Sequence, residues 1–382
     1  MIYVAIVGAG AISDSHIEGF LAFPDRCAIA ALVDRDVERA RAKVEKYGLD
    51  AVVLDDTAKL TQLPQIDVAS ICLPPSLHCE VAVALLEAGI HVLCEKPLAL
   101  SVEECDQMIA AARRNHKLLS TVAQNRFKPD VVRAHALCSQ GLLGDIVAGM
   151  ATSLWWRGEN YYNLAWRGRW SSEGGGCTIT QGIHHIDLFL WLMGNARDVT
   201  ALVDNRAHTN SELEDISMAL VHFESGAVGT LVSSILHHGE EQGLTIDGRE
   251  ASVEMPLRIR ASQQLENGFP KENTELVEKL TRFAAGIERK HTGHTAQIDD
   301  MLGAIEQGRE SSVTGEDGRR AVEFIMAVYQ SAFTGKRVRL PLTPADPFYT
   351  KEGMVGGVTK FYEKTVSIES FSDNTIQVGG TL

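Results

Sequence analysis

The chain is short of positive charge. Its 36 Lys and Arg stand against 50 Asp and Glu, a formal net charge of −14 over 382 residues. That balance disfavours a nucleic-acid backbone or an anionic membrane surface as partner, since both would repel it. No apolar run is long enough to span a bilayer. The N-terminus, MIYVAIVGAG, opens directly on a strand pattern, with no basic stretch ahead of a cleavable apolar one. Cysteine is sparse and scattered: Cys27, Cys72, Cys79, Cys94, Cys105, Cys138 and Cys177 make an odd count with no Cys-x-x-Cys pair. A disulfide framework and a zinc site are both disfavoured; reduced thiols packed as small hydrophobes are expected. Internal repeats and low-complexity tracts are lacking too. The expectation is a cytoplasmic enzyme with a small-molecule substrate, no nucleic-acid or membrane partner and no catalytic metal. His237 and His238 form no convincing ligand set with a carboxylate.

What is present is a globular composition, 45% hydrophobic and 23% charged, long enough for two domains with cores of their own. The first third alternates. YVAIVGAG, CAIAALVDRD, DVASICLPP, IHVLCEKP and KLLSTVAQNRF read as strands, and apolar-periodic helical stretches separate them. SVEECDQMIAAARRN carries Ser101 followed three residues later by Glu104, a capping-box signature. Continuous apolar strands alternating with helices predict a doubly wound parallel sheet.

The loop Gly8-Ala9-Gly10-Ala11-Ile12-Ser13 falls between the first strand and the first helix. Gly8 suits the tight turn, and Gly10 removes a side chain where a pyrophosphate would approach the backbone. The next helix would turn its free N–H groups toward that phosphate. Ser13 replaces a third glycine, and its small size still permits close packing. The second strand ends at Asp34, placed to accept hydrogen bonds from a ribose diol, which favours NAD; Arg35 beside it leaves NADP open, because a guanidinium can meet a 2′-phosphate.

After about residue 124 the alternation stops. IVAGMATSLWW, RDVTALVDNRA, ISMALVHF, GAVGTLVSSIL, GLTIDG and ASVEMP read as strands, with a hairpin turn at Ser225-Gly226. They predict a large, mostly antiparallel open sheet in an α+β domain, one face on helices and the other available to a neighbouring subunit. The expected division is a Rossmann domain over residues 1–123, a substrate-binding and oligomerisation domain over 124–345, and a C-terminal extension over 346–382. The extension is rich in Gly, Thr and Ser and is expected to be an arm on a partner or partly disordered.

Taken together, VGAGAIS, VDRD, CLPPSLH, CEKPLAL and GGGCTITQGIHHIDLFLWLMG resemble the Gfo/Idh/MocA oxidoreductases, named for glucose–fructose oxidoreductase and inositol dehydrogenase. The likeness runs from residue 1 to about 345. It implies a Rossmann domain, a C-terminal open-sheet domain, a nicotinamide cofactor, a sugar-like or cyclic polyol substrate, and a dimer or tetramer built through the antiparallel sheet. The family lysine falls on Lys96 and its histidine on His184. The usual catalytic aspartate position holds Thr180 instead, so a Lys/Asp/His relay does not follow. Some members acting on nucleotide-linked amino sugars or uronates also lack that acid and carry a similar QGIH segment.

The residues support the chemistry on their own terms. Oxidising a secondary alcohol needs a base for the hydroxyl proton and a donor at the oxygen. His184 suits the first task, with an ordinary pKa near ~6.5, and Lys96 the second. Taken alone, Lys96 would be a solvated strand-end lysine; CEKP, however, lies where strands of an open parallel sheet face their ligand crevice. Glu95 can fix the local backbone or Lys96. Leu73, His78, Gln124 and Arg126 lie near strand ends and join the cofactor and cleft candidates. In SLWWRGENYYNLAWRGRW, aromatic faces suit sugar rings and arginine forks suit carboxylate or phosphate, so Arg157, Tyr161, Trp166, Arg167 and Arg169 are substrate or cofactor-contact candidates, with Thr180 a further substrate candidate. Packing of a core or dimer face explains those aromatics equally well. The reading is an NAD(P)-dependent oxidoreductase acting on a secondary alcohol of a sugar, sugar acid, sugar nucleotide or cyclic polyol. The alternatives are a non-catalytic dinucleotide-binding regulator and an NAD-using glycosidase.

Overall fold

The computed structural model describes residues 1–369 and 371. The chain opens with β1 (Ile2–Val7), α1 (Ser13–Leu21), β2 (Cys27–Val33), α2 (Val37–Tyr47), β3 (Val52–Leu54), β4 (Val68–Ile71), α3 (His78–Glu87), β5 (His91–Cys94), α4 (Val102–Arg114) and β6 (Leu119–Thr121), the alternation the sequence predicts with β3 as an added strand. The six strands form one parallel sheet in the order β3-β2-β1-β4-β5-β6. The order reverses between β1 and β4, the crevice where doubly wound sheets take their ligands. Local chemistry sets the helix ends. Asp36 accepts from the Arg39 N–H at the start of α2, and Gly48 stops that helix at φ 61°. Ser101 accepts from the Glu104 N–H while the Glu104 carboxylate reaches back to the Leu100 N–H at 2.9 Å, the reciprocal cap its sequence announced.

The chain continues through α5 (Pro129–Ser139), β7 (Ile146–Leu154), α6 (Trp170–Glu173), α7 (Ile183–Met193), β8 (Ala196–Asp204), β9 (Ile216–Phe223), β10 (Val228–Ser234), β11 (Gln242–Gly248), β12 (Ala251–Met255), β13 (Arg258–Gln264), β14 (Pro270–Glu272) and α8 (Thr274–Ala285). It ends with α9 (Gly293–Gln307), α10 (Gly315–Thr334), β15 (Val338–Arg339) and α11 (Lys351–Gly357). The nine later strands make a second sheet, β14-β13-β12-β11-β7-β10-β9-β8-β15, antiparallel except where β10 runs parallel to β7. Its inner face packs on α7, where Phe189 meets Phe223 edge-on. On its outer face the register aligns Met150, Thr230, Leu220 and Thr200 in one row and Thr152, Val232, Met218 and Leu202 in the next.

Two compact units result, each assembled from two stretches of the chain. One is Met1–Phe127 with Lys290–Val322; the other is Lys128–Arg289 with Glu323–Leu382. Residues 290–322 return to the first unit because α9 completes its core: Ile298, Met301 and Leu302 are buried among Val4, Ile6, Ile17, Phe20 and Leu93. Gln297 ties the same helix to the end of β6, accepting from the Ala123 N–H at 2.9 Å and donating to the Thr121 carbonyl at 2.6 Å.

Candidate active site

In the first unit, β1 delivers the glycine loop. Gly8 has φ 100°, and a Cβ there would lie 2.6 Å from the Cys72 carbonyl, so glycine is required. At Gly10 a Cβ would meet nothing within 4 Å, which leaves the start of α1 open to a phosphate. Ala11 and Ile12 are exposed beside it. Ser13, in the third-glycine position, is fully buried and donates to the Gly10 carbonyl at 2.6 Å. Asp34 closes the loop from the end of β2: its Oδ2 accepts from the Ala9 N–H at 2.7 Å and its Oδ1 from the Asp36 N–H at 2.9 Å. Arg35 is exposed next to it.

The CEKP turn follows β5, and its Lys96–Pro97 peptide is cis. Glu95 is buried. One carboxylate oxygen accepts from the Lys96 N–H at 3.0 Å; the other lies 3.0 Å from His16 Nε2 and 3.6 Å from His294 Nε2. His16 Nδ1 in turn lies 2.7 Å from Ser70 Oγ. Burial works to raise the Glu95 carboxyl, but the two imidazoles outweigh it and hold the group well below the usual carboxylate range. Burial pushes the His16 imidazole down, against the pull of the Glu95 carboxylate beside it. Lys96 is half-buried beside this cluster. His78 is fully buried, with Nδ1 2.8 Å from the Pro97 carbonyl and Nε2 2.8 Å from the Leu73 carbonyl, so it joins the β4 loop to the CEKP turn. Leu73 is half-buried in that loop. Gln124 Oε1 is a buried acceptor with no partner, as expected of a group that waits for a donor from a ligand. Arg126 is buried and paired with Asp317 at 3.1 Å, which makes it an anchor of the unit.

In the second unit the triple glycine leads through a π-helical turn, Thr178–Gly182, into α7. Glu214 organises it. This fully buried acid, raised by its burial, accepts from the Gly176 N–H at 2.8 Å, the Thr178 N–H at 3.1 Å and the Tyr329 hydroxyl at 2.9 Å. A Cβ at Gly176 would collide with the Glu214 carbonyl. Thr180 donates to the Gly176 carbonyl at 2.6 Å. His184 and His185 part company on α7. His184 keeps partial exposure, whereas His185 is buried with Nδ1 3.0 Å from Ser153 Oγ, and burial drives its pKa to about 3. Asp187 is buried one turn beyond His184.

The aromatic-basic stretch forms a ladder. The Arg167 guanidinium lies 4.0 Å from the Tyr161 ring and 4.1 Å from the Trp166 ring. Arg157 lies 5.5 Å from the Trp155 ring and 5.9 Å from the opposite rung, Tyr161. Each arginine also meets an acid: Arg157 with Glu240 at 2.7 Å, Arg167 with Glu173 at 3.0 Å, Arg169 with Glu212 at 3.7 Å. Sequence reading offers these forks to an anionic ligand; the fold instead meets them with carboxylates, Glu173 from six residues along the same stretch and Glu240 and Glu212 from distant segments. It also left unmarked His16, His294, Gln297 and Glu214, whose importance arises only from long-range partners. Three donor atoms of His16, Glu95 and His294 lie within 4.8 Å of one another.

This geometry defines a dinucleotide-binding oxidoreductase with a lysine-bearing Rossmann unit and a histidine-bearing open-sheet unit. The chain belongs to the Gfo/Idh/MocA family. The family's NAD-binding Rossmann model matches residues 2–123, and its C-terminal alpha/beta model matches residues 136–340. It is 27% identical over 356 residues to the D-glucoside 3-dehydrogenase of Escherichia coli, covering 88% of this chain and 97% of that one. It is 24% identical to the myo-inositol 2-dehydrogenase of Thermotoga maritima, over 88% and 98% of the two chains. Its fold is similar to the WlbA dehydrogenase of Bordetella pertussis, solved with NADH and UDP-GlcNAcA, with a TM-score of 0.79, 25% identity, and coverage of 90% of this chain and 98% of that one. The cofactor fits the residues present: the open cradle at Gly10, the acid at the end of β2 and the unpartnered Gln124 oxygen are the features a dinucleotide would use.

Proposed function

We propose that the protein is a dehydrogenase acting on a secondary alcohol of an uncharged sugar or cyclic polyol. The observation that carries the substrate class is the neutralised ladder. Arg157, Arg167 and Arg169 each have a carboxylate partner within 3.7 Å. A second anion would have to compete with those carboxylates, whereas hydroxyl groups and an apolar ring face would not. The names of the glucoside and inositol dehydrogenase relatives support the same class.

In this reading His184 takes the hydroxyl proton and Lys96 donates a hydrogen bond to the oxygen as it gains alkoxide character. NAD+, when bound, supplies the hydride acceptor. Gly8, Gly10, Ala11, Ile12 and Asp34 hold the dinucleotide, with Gln124 as an acceptor at the β6 end of the sheet. Thr180 cannot carry the charge of the family's aspartate, which leaves the proton to His184. The outer sheet face, with Leu202 and Leu220 each 62% exposed and Met150 51%, is covered by a second copy of the chain.

The test is NADH formation with matched pairs: methyl glucoside against glucuronate, myo-inositol and glucose against a UDP-linked uronate. Neutral substrates are expected to have kcat/KM at least about tenfold higher, an advantage of roughly 1.4 kcal/mol. A preference for the acids overturns the substrate class. NAD+ reduction by none of them overturns the activity.

A further inference from the structure

The C-terminal extension has no role in the reading above, yet residues 360–368 of it are built into the second unit. Its backbone runs beside the segment that carries the ladder. The Ile368 N–H donates to the Asn163 carbonyl at 2.8 Å, and the Ala165 N–H donates to the Ile368 carbonyl at 2.9 Å. Asn210 clamps the strap from its other edge. Its Oδ1 accepts from the Thr365 and Val366 N–H groups, each at 2.9 Å, and its Nδ2 donates to the Val366 carbonyl and to Asn163 Oδ1, each at 3.0 Å. Lys364 is buried, an unusual place for an ammonium group, and donates to the Tyr162 carbonyl. Farther back, the Phe361 N–H donates to the Glu212 carbonyl at 3.1 Å, and Lys360 meets the Glu212 carboxylate at 2.8 Å. The packing is close at Gly168, φ +76°, where a Cβ would lie 3.2 Å from the Asn210 carbonyl and 3.6 Å from Lys364 Cδ.

These bonds fall on Tyr162, Asn163 and Ala165, between the Tyr161 and Trp166 rungs. Holding backbone on both sides of a stacked Tyr–Arg–Trp set fixes the ring planes as firmly as the bonds fix the chain. Resting on the sugar-dehydrogenase reading, we propose that residues 360–368 are a strap that sets sugar selectivity, with Asn210 and Lys364 as positioning residues for the ladder. An uncharged sugar is recognised by ring faces and hydroxyl geometry, so a loosened ladder would lose selectivity among sugars before it lost hydride transfer.

The experiment compares the full chain with a variant ending at residue 358 and with Asn210→Ala and Lys364→Met in the full chain. Amide exchange over residues 155–170, with NADH bound, reports whether the strap holds the segment. Steady-state kinetics with the best neutral sugar and with a poorer one, and NADH affinity by fluorescence, report what the holding does. Expected are faster exchange at Ala165 and its neighbours, a KM for the best sugar raised about tenfold with little change for the poorer one, so that the kcat/KM ratio between them falls about tenfold, and NADH affinity and kcat within about twofold of the parent. Unchanged exchange in all three variants overturns the strap. Faster exchange with an unchanged kcat/KM ratio between the two sugars overturns the selectivity role, as does a parallel loss of NADH affinity, kcat and thermal stability in the two point variants, which would mark a merely structural part. A parent chain that oxidises no sugar overturns the functional reading instead, and does so before any variant is made.

Discussion

At the residue scale, environment decides the task of each ionisable group. Lys96 and His184 are the two side chains assigned to the reacting oxygen. Lys96→Ala and His184→Ala should each lower kcat by about 10²–10⁴-fold while leaving NADH affinity within a few-fold, measured by steady-state turnover and fluorescence titration. Near-parental kcat in both would remove them from the mechanism. His91 offers a separate, non-catalytic test. Its Nδ1 accepts from the Leu118 N–H at 2.9 Å, which requires an unprotonated nitrogen, and burial lowers its pKa to about 4. In the unfolded chain the ring titrates near ~6.5, so between those values the unfolded state binds more protons. The stabilisation is therefore complete above about pH 6.5 and is lost as pH falls toward 4. Thermal melts across that window should show a shallower acid-side decline in His91→Gln than in the parent; equal slopes would refute the assignment. Glu95 and its two histidines were legible only as a motif acid and two unremarkable rings. Their meeting depends on α1, β5 and α9 sharing one core, which no local spacing reports.

At the scale of elements, the sequence was most legible where a signal repeats within a dozen residues. Apolar runs gave five strands of the first sheet, and the Ser101–Glu104 spacing gave the start of α4. Strand β3 was not read as a strand: its three residues are exposed to half-buried, whereas the equally short β6 is buried throughout. The acid partners of Arg157 and Arg169 escaped for another reason: Glu240 and Glu212 come from other segments of the chain, and charge pairing across such distances leaves no periodicity. That helix α9 belongs to the Rossmann core is not visible in any local pattern either, because its partners there, Val4 and Leu93 among them, lie far earlier in the chain. Ile298, only 1% exposed, makes that role measurable. Ile298→Ala should destabilise the protein by about 2–4 kcal/mol in denaturant titration, through lost burial and an unfilled cavity. A change below about 0.5 kcal/mol would mean that α9 does not complete the core.

For the molecule as a whole, the proposed pairing of two copies through the outer face of the nine-stranded sheet is the feature to test. Leu202 and Leu220 stand on adjacent rows of that face, and a charge at either would oppose burial against a second copy. Leu202→Glu combined with Leu220→Glu should shift the mass measured by light scattering toward the monomer without altering the far-UV spectrum. A parental chain already monomeric, or a variant of unchanged higher mass, would refute the proposed dimer face.

The discontinuous make-up of the first unit bears on biosynthesis. Residues 1–127 leave the ribosome long before 290–322, yet α9 supplies Ile298, Met301 and Leu302 to their core. The nascent Rossmann sheet must wait, incompletely covered, while about 160 intervening residues are translated, some ten to thirty seconds at ordinary elongation rates. Chaperone dependence and early truncation products should therefore track the arrival of α9 rather than the end of the sheet itself.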